Sequence, residues 1–277
     1  MSYIIAIGLY LVLLMVYGLV IAHKKVKTTD DMMTGGHKIP FIILVGSLLA
    51  TWCGGGGITG SAGVVYSGGP WVGVLTFAAP PIGIILLYFI AGKVRKSNKL
   101  TVPEIMGARY GTAASIISAL CVMLAYVGVL ATQLKAAANI LVLLCHSSGI
   151  EISHGVALAI CTVIIVIITV GGGLVSVAYS DAVSALIMIG GFFLAIPILM
   201  RAASAQGAVL PAEKTTFTGG MSGWTLLGYF LPSLALMLGD QNMLQRFASA
   251  KNSDEAKKSN IGMFIGEILV IISIVLV

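Results

Sequence analysis

Apolar residues in this chain fall into long blocks separated by short charged or Gly/Pro-rich breaks. The blocks cover about 3–22, 40–66, 71–92, 113–145, 155–171, 181–200, 223–240 and 261–277. A helix needs about 20 apolar residues to cross a bilayer. The pattern therefore predicts an all-α, polytopic membrane protein with eight spans, folded as one transmembrane domain over 1–277. The fourth block is long enough to tilt strongly or to project from the membrane.

Composition excludes the soluble alternative. Hydrophobic residues make up 58% of the 277 and charged residues 9%, with a mean hydropathy of +1.04. Soluble domains carry roughly a quarter charged residues. The first block, Tyr3 to Ala22, follows no basic stretch and ends in no small-residue cleavage motif, so it reads as an uncleaved first span. Cys53, Cys121, Cys145 and Cys161 lie in or beside apolar blocks, without CxxC or histidine spacing for a metal, and read as small packing residues.

Charge sets an expected orientation. Alternate loops place Lys24, Lys25, Lys27, Lys38, Lys93, Arg95, Lys96, Lys99, Arg109, Arg246, Lys251, Lys257 and Lys258 on one side. Only Arg201 and Lys214 fall on the other, and Lys135 lies inside a span. Thirteen against two predicts a cytoplasmic basic face and an outside N-terminus, in a multi-pass plasma or inner membrane protein. The net charge of +6 therefore belongs to lipid-facing loops, and nucleic acid is not an expected partner.

Two blocks carry signs of a broken helix. The second contains Ala50-Thr51-Trp52-Cys53-Gly54-Gly55-Gly56-Gly57-Ile58-Thr59. Each mid-helix glycine costs roughly 1 kcal/mol relative to alanine. Lipid cannot satisfy the backbone groups that a break exposes, so such a break must line an enclosed cavity or bind something polar. Close helix packing through small residues is the alternative. Residues 55–60 also fit GxGxxG, but no strand precedes them and the nucleotide reading lapses. The seventh block is interrupted at Leu238-Gly239-Asp240-Gln241-Asn242, after Pro232, or else simply ends there in a loop. Further polar groups inside spans are Gln133, Lys135 and Asn139, with Asp181 at the start of the sixth. Paired interruptions at corresponding positions of two repeats mark the binding site of a secondary transporter.

The stretches ATWCGGGGITGSAGVVYSGG (50–69), LTVPEIMGARYG (100–111), GGGLVSVAYSDAVSALIM (171–188) and DQNMLQRFASAKNSDEAKK (240–258) occur in one order along the chain. Together they resemble the sodium:solute symporter family, and the wording ATW-x-GGG is nearest its choline-transporter branch. The resemblance implies a leucine-transporter-type inverted-repeat fold with an extra N-terminal helix, 1–22. The first five-helix repeat would cover 40–200, and 223–277 would begin an incomplete second repeat. By the same resemblance the backbone carbonyls of Ala50 and Cys53 would bind sodium, with Ser180 and Asp181 along its cytoplasmic route. Trp52, Gly54, Gly55, Gly56, Gly57, Gln133, Asp240 and Gln241 would face the solute. Where the branch has aromatic walls, this chain aligns Ile84 and Asp240.

The function so implied is sodium-coupled import of a small organic solute by alternating access, with sodium as coupling ion, no other cofactor and no covalent chemistry. A non-transporting, symporter-like sensor or subunit is the second reading. An intramembrane enzyme would need paired acids or a histidine constellation, whereas His23, His37, His146 and His154 sit in loops or at span ends. The last block stops on SIVLV without a flanking charge, so the sequence reads as cut short, and as inactive without the remainder of its second repeat.

Overall fold

A computed structural model describes residues 2–207 and 210–276; Val277, the expected end of the eighth span, lies outside the described residues. The chain is built from helices α1 (Ser2–Lys25), α2 (Thr29–Thr34), α3 (Phe41–Trp52), α4 (Gly55–Gly68), α5 (Pro70–Phe77) and α6 (Ala79–Ser97). They are followed by α7 (Val102–Tyr110), α8 (Thr112–Ser147), α9 (His154–Ala205), α10 (Gly223–Gly239), α11 (Gln241–Ser249) and α12 (Ser253–Leu276). Five of the described helical segments are long and apolar enough to cross a membrane, and α3 with α4 form a sixth candidate bent by 56°.

The second apolar block thus folds as two helices, α3 and α4. Cys53 (φ −80°, ψ 51°) and Gly54 (φ −73°, ψ 160°) leave helical geometry between them. The third block is α5 and α6 in near-continuous succession, with Pro70 in the first turn where a missing N–H costs nothing. At 36 residues, α8 reaches about 54 Å at 1.5 Å per residue, well beyond the hydrocarbon layer.

Two expected boundaries move. The fifth and sixth blocks are not separated by a loop at 172–180; both belong to α9, which bends at Gly173. Gly173 sits at φ 57°, ψ −153°, a conformation essentially reserved for glycine, and its α-carbon is covered by Met32 of α2. The run SVAYS after it consists of residues that continue a helix, so Asp181 lies inside the span and not at its start. Likewise α12 begins at Ser253, ahead of the expected 261, because Asp254 and Glu255 suit the positive N-terminal turn of a helix.

The core lies where α3, α6, α10, α11 and α12 meet, around Leu44, Leu48, Ile84, Leu87, Met237, Met243, Phe247 and Met263. Bilayer helices gain nothing from hiding apolar groups from other apolar groups, so their contacts depend on close van der Waals approach through small residues. Gly46 of α3 lies against the Ala182 backbone of α9, and a Cβ there would come within 2.7 Å of the Ala182 Cα. Gly262 and Gly266 of α12 receive Val45 and Leu49 of α3 in the same way. The interior is therefore fixed by α3, held between α9 and α12.

The polar ends of the helices are tied together on one side. His37 Nδ1 lies 2.7 Å from the Ala248 carbonyl, Arg95 Nε donates to the Ala250 carbonyl at 2.6 Å, and Ser253 Oγ donates to Gly92 O at 2.9 Å. In the loop before α2, the Lys27 N–H and the Thr28 hydroxyl donate to the Asp31 carboxylate and hold its pKa below the ordinary value. The loops at 26–40, 93–101 and 249–253 thus share a face.

Replacing Gly46 with isoleucine should force α3 away from α9. Overpacking of this kind typically costs about 1–3 kcal/mol. The expected result is a clear drop in apparent melting temperature in detergent, followed by fluorescence-detected size exclusion; an unchanged melting temperature would show that the two helices have room to separate.

Candidate functional site

The break between α3 and α4 is the place where the backbone runs out of partners. The Gly54 N–H, which in a continuous helix would bond the Ala50 carbonyl, turns back to Trp52 O at 2.9 Å. The first bond of α4 runs from Ile58 N to Gly54 O at 3.0 Å. Among the described residues no backbone hydrogen bond reaches the carbonyl of Ala50 or that of Cys53. These carbonyls lie at the negative end of α3, where a cation is favoured.

Neighbouring helices brace the break with side chains. Gln133 of α8 accepts the Gly56 N–H through Oε1 at 2.9 Å. Gly54 makes room for this contact, since a Cβ there would strike the Gln133 amide, whereas one at Gly55 would make ordinary contact with Ala136 at 3.6 Å. From the other side, Glu267 of α12 accepts from Trp52 Nε1 at 3.1 Å and from Cys53 Sγ at 3.3 Å.

A cavity of about 490 Å³ opens beside the break. Trp52, Cys53, Gly56, Gly57, Gln133 and Asp240 line it, so six of the residues singled out from sequence meet there. Thr51, Thr76, Phe77, Tyr229, Ser233 and Glu267 join them. Gly54, Gly55 and Gln241 are not among its lining residues. Gln241 is spent on the α6–α7 turn, donating to Leu100 O at 3.0 Å and accepting from Val102 N at 2.7 Å. Ile84, aligned with an aromatic wall, is buried in the core instead, while Phe77 and Tyr229 bring aromatic rings to the cavity.

The seventh block is interrupted without a loop. Asp240 is extended (φ −66°, ψ 114°) and caps α11, accepting the Met243 N–H through Oδ1 at 2.8 Å. The helix that follows is largely buried, and with it Arg246, which the charge count placed in a loop. Arg246 Nη2 donates to Asp181 Oδ2 at 2.9 Å and Arg246 Nε to Ser47 Oγ at 2.7 Å. Ser47 Oγ in turn donates to Asp181 Oδ2 at 2.9 Å. This network joins α3, α9 and α11. Ser180, beside Asp181 in sequence, faces away toward Gly18 of α1, and its buried hydroxyl has no hydrogen-bond partner. Lys135 and Asn139 are exposed on α8.

Sequence reasoning passed over Glu267, Arg246, Phe77 and Tyr229. The signal for Glu267 was present: an acid in the middle of an apolar block is costly unless it faces protein or water, and so marks function.

A bundle of apolar helices with a glycine-rich break opening on a cavity is the architecture that broken-helix transporters use. The chain belongs to the sodium:solute symporter family, whose model matches residues 32–277. It is 27% identical to the High-affinity choline transporter 1 of Torpedo marmorata over 99% of this chain and 49% of that protein. The corresponding figures for the High affinity choline transporter 1 of Homo sapiens are 25%, 83% and 40%. The chain thus spans about half the length, or less, of these relatives. A solved structure described as the substrate-bound outward-open state of a Na+-coupled sialic acid symporter superposes with a TM-score of 0.78 at 18% identity, covering 99% of this chain and 58% of that one. The fold expected from sequence is the fold of that structure.

The Arg246–Asp181 pair makes a direct stability prediction. Arg246 is buried and Asp181 half-buried; removing one partner of such a pair leaves an uncompensated charge and costs more than removing both. Arg246→Met should lower the melting temperature more than the double change Arg246→Met with Asp181→Leu; equal or additive losses would show that the two groups do not act together.

Proposed function

We propose that this chain supplies the solute cavity and one half of the sodium site of a sodium-coupled importer of a small organic solute, working by alternating access. The observation that carries the reading is the pair of free carbonyls at Ala50 and Cys53, lying at the end of α3 beside a cavity that the same break lines. Carbonyl oxygens replace the hydration shell of a monovalent cation when they converge without competing donors. The family membership and the fold of a sodium-coupled neighbour support sodium as that cation.

Sodium held there neutralises the negative end of α3 and orders the break. A ligand shifts a conformational equilibrium by its differential affinity for the two states. Sodium bound to the ordered break favours the conformation in which the cavity is formed, and solute binding follows. In this reading the Arg246–Asp181–Ser47 network faces the cytoplasm, the side assigned to the basic loops. While the network is closed, Asp181 is engaged by arginine; opening it frees the carboxylate beside the route by which sodium leaves. In this scheme 40–200 forms the first repeat and α10–α12 begin the second.

The names of the relatives make a quaternary ammonium the first solute to test. Trp52, Phe77 and Tyr229 suit it, since aromatic faces attract such a cation.

The complete transporter carrying this sequence, reconstituted in liposomes, should accumulate radiolabelled solute only under an inward sodium gradient. Uptake that ignores sodium would defeat the coupling. A Cβ at Gly56 would come within 3.4 Å of the Thr132 backbone. Replacing Gly55 and Gly56 together with leucine should therefore abolish uptake while expression persists; undiminished uptake would show that the glycines serve packing alone.

A further inference from the structure

The charge inventory of the cavity is one-sided. Two carboxylates line it, Asp240 and Glu267, and no lysine, arginine or histidine does. Asp240 is already engaged as the cap of α11. Glu267 differs: it is 4% exposed, and the one ion pair among the described residues is Arg246–Asp181, elsewhere in the fold. Its two hydrogen-bond donors, the Trp52 indole and the Cys53 thiol, are both neutral. A carboxylate accepts about four hydrogen bonds, so capacity remains on both oxygens. A buried charge without a counter-charge is strongly unfavourable.

We infer that Glu267 sets the charge of the solute: it is the counter-charge for a monovalent organic ammonium held against Trp52 in the cavity. This rests on the transport reading of the cavity and adds to it the residue that selects the substrate class. The geometry gives Glu267 a double role. Through Oε1 it fixes the indole of Trp52 by its N–H, so that the ring presents a fixed face to the cavity. Through its charge it supplies the attraction that the ring quadrupole alone provides only weakly, on the order of 0.5–2 kcal/mol. The carboxylate also hydrogen-bonds Cys53, so loading the cavity with a cation is felt at the break itself. An anionic solute in the same place would face Glu267 without any basic residue to offset it.

The test compares a cation with its uncharged twin. Equilibrium binding of radiolabelled choline to the purified complete transporter in sodium is competed with unlabelled choline, tetramethylammonium and 3,3-dimethylbutan-1-ol, the neutral carbon analogue of choline. The wild type should prefer choline over the neutral analogue by about tenfold or more, the equivalent of about 1.4 kcal/mol. Glu267→Gln should collapse that preference by weakening choline and leaving the neutral analogue unchanged, and Glu267→Asp should restore most of it. A wild type that binds the neutral analogue as well as choline overturns the inference without any variant, so a poorly folding glutamine variant does not shield it. So does a Glu267→Gln protein that keeps the preference and loses only sodium affinity, which would make Glu267 a sodium ligand. Sodium-driven uptake of a neutral or anionic solute, with none of choline or tetramethylammonium, sinks this inference and leaves the transport reading standing. Absence of sodium-dependent uptake of any solute by intact protein sinks the transport reading itself.

Discussion

Every backbone polar group at the depth of the lipid must find a partner inside the protein, and this chain is organised around a place where that rule is suspended. Between Trp52 and Gly55 the helix stops and restarts. The Gly56 amide on the far side is held by Gln133, and the side chains on the near side are held by Glu267. The carbonyls of Ala50, Thr51 and Cys53 are left without a backbone donor. Such a vacancy persists only if the neighbours keep the two halves apart at a fixed angle. The close approaches of Gly46 to α9 and of Gly262 and Gly266 to α3 do so, because residues without side chains allow the braces to stand near enough to reach.

A second constraint acts midway along α3. Ser47 lies one turn and a half before the break and is bonded to both Asp181 and Arg246. One short helix is thereby connected to the cavity at its C-terminus and to a buried ion pair in its middle. A packed helix of this kind moves as a unit, so a change at the pair and a change at the break are mechanically the same event. The proposed alternating-access scheme uses that coupling through α3, and α11 takes part through Arg246.

Much of this was legible in the residues. Four consecutive glycines after Trp52-Cys53 announced the break because, proline aside, glycine weakens a helix most, and the break fell at Cys53–Gly54. The position of Asp240 after Pro232 left a loop or a helix interruption open; the capping geometry of Asp240 gives the interruption. The misses have physical causes. A single glycine in positive φ breaks the helix at Gly173 without a loop, so 172–180 read as a linker although helix resumes directly after Gly173. Arg246 counted as a loop cation because its partner, Asp181, is far away in sequence. Gln241 looked like a solute ligand by its place after the break, but its amide matches the free backbone groups of Leu100 and Val102 and is consumed there. Glu267 was masked by the apolar residues around it, which kept its block hydrophobic on average.

The central claim is that the unwound backbone at the end of α3 grips sodium. The most direct measurement is a density map of the complete transporter determined twice, once in sodium and once with sodium replaced by N-methylglucamine. A density peak between the Ala50 and Cys53 carbonyl oxygens, present in sodium and absent in N-methylglucamine, is the predicted result. A continuous helix through Cys53 and Gly54 in both maps, or a sodium-dependent peak only at some other place, would contradict it.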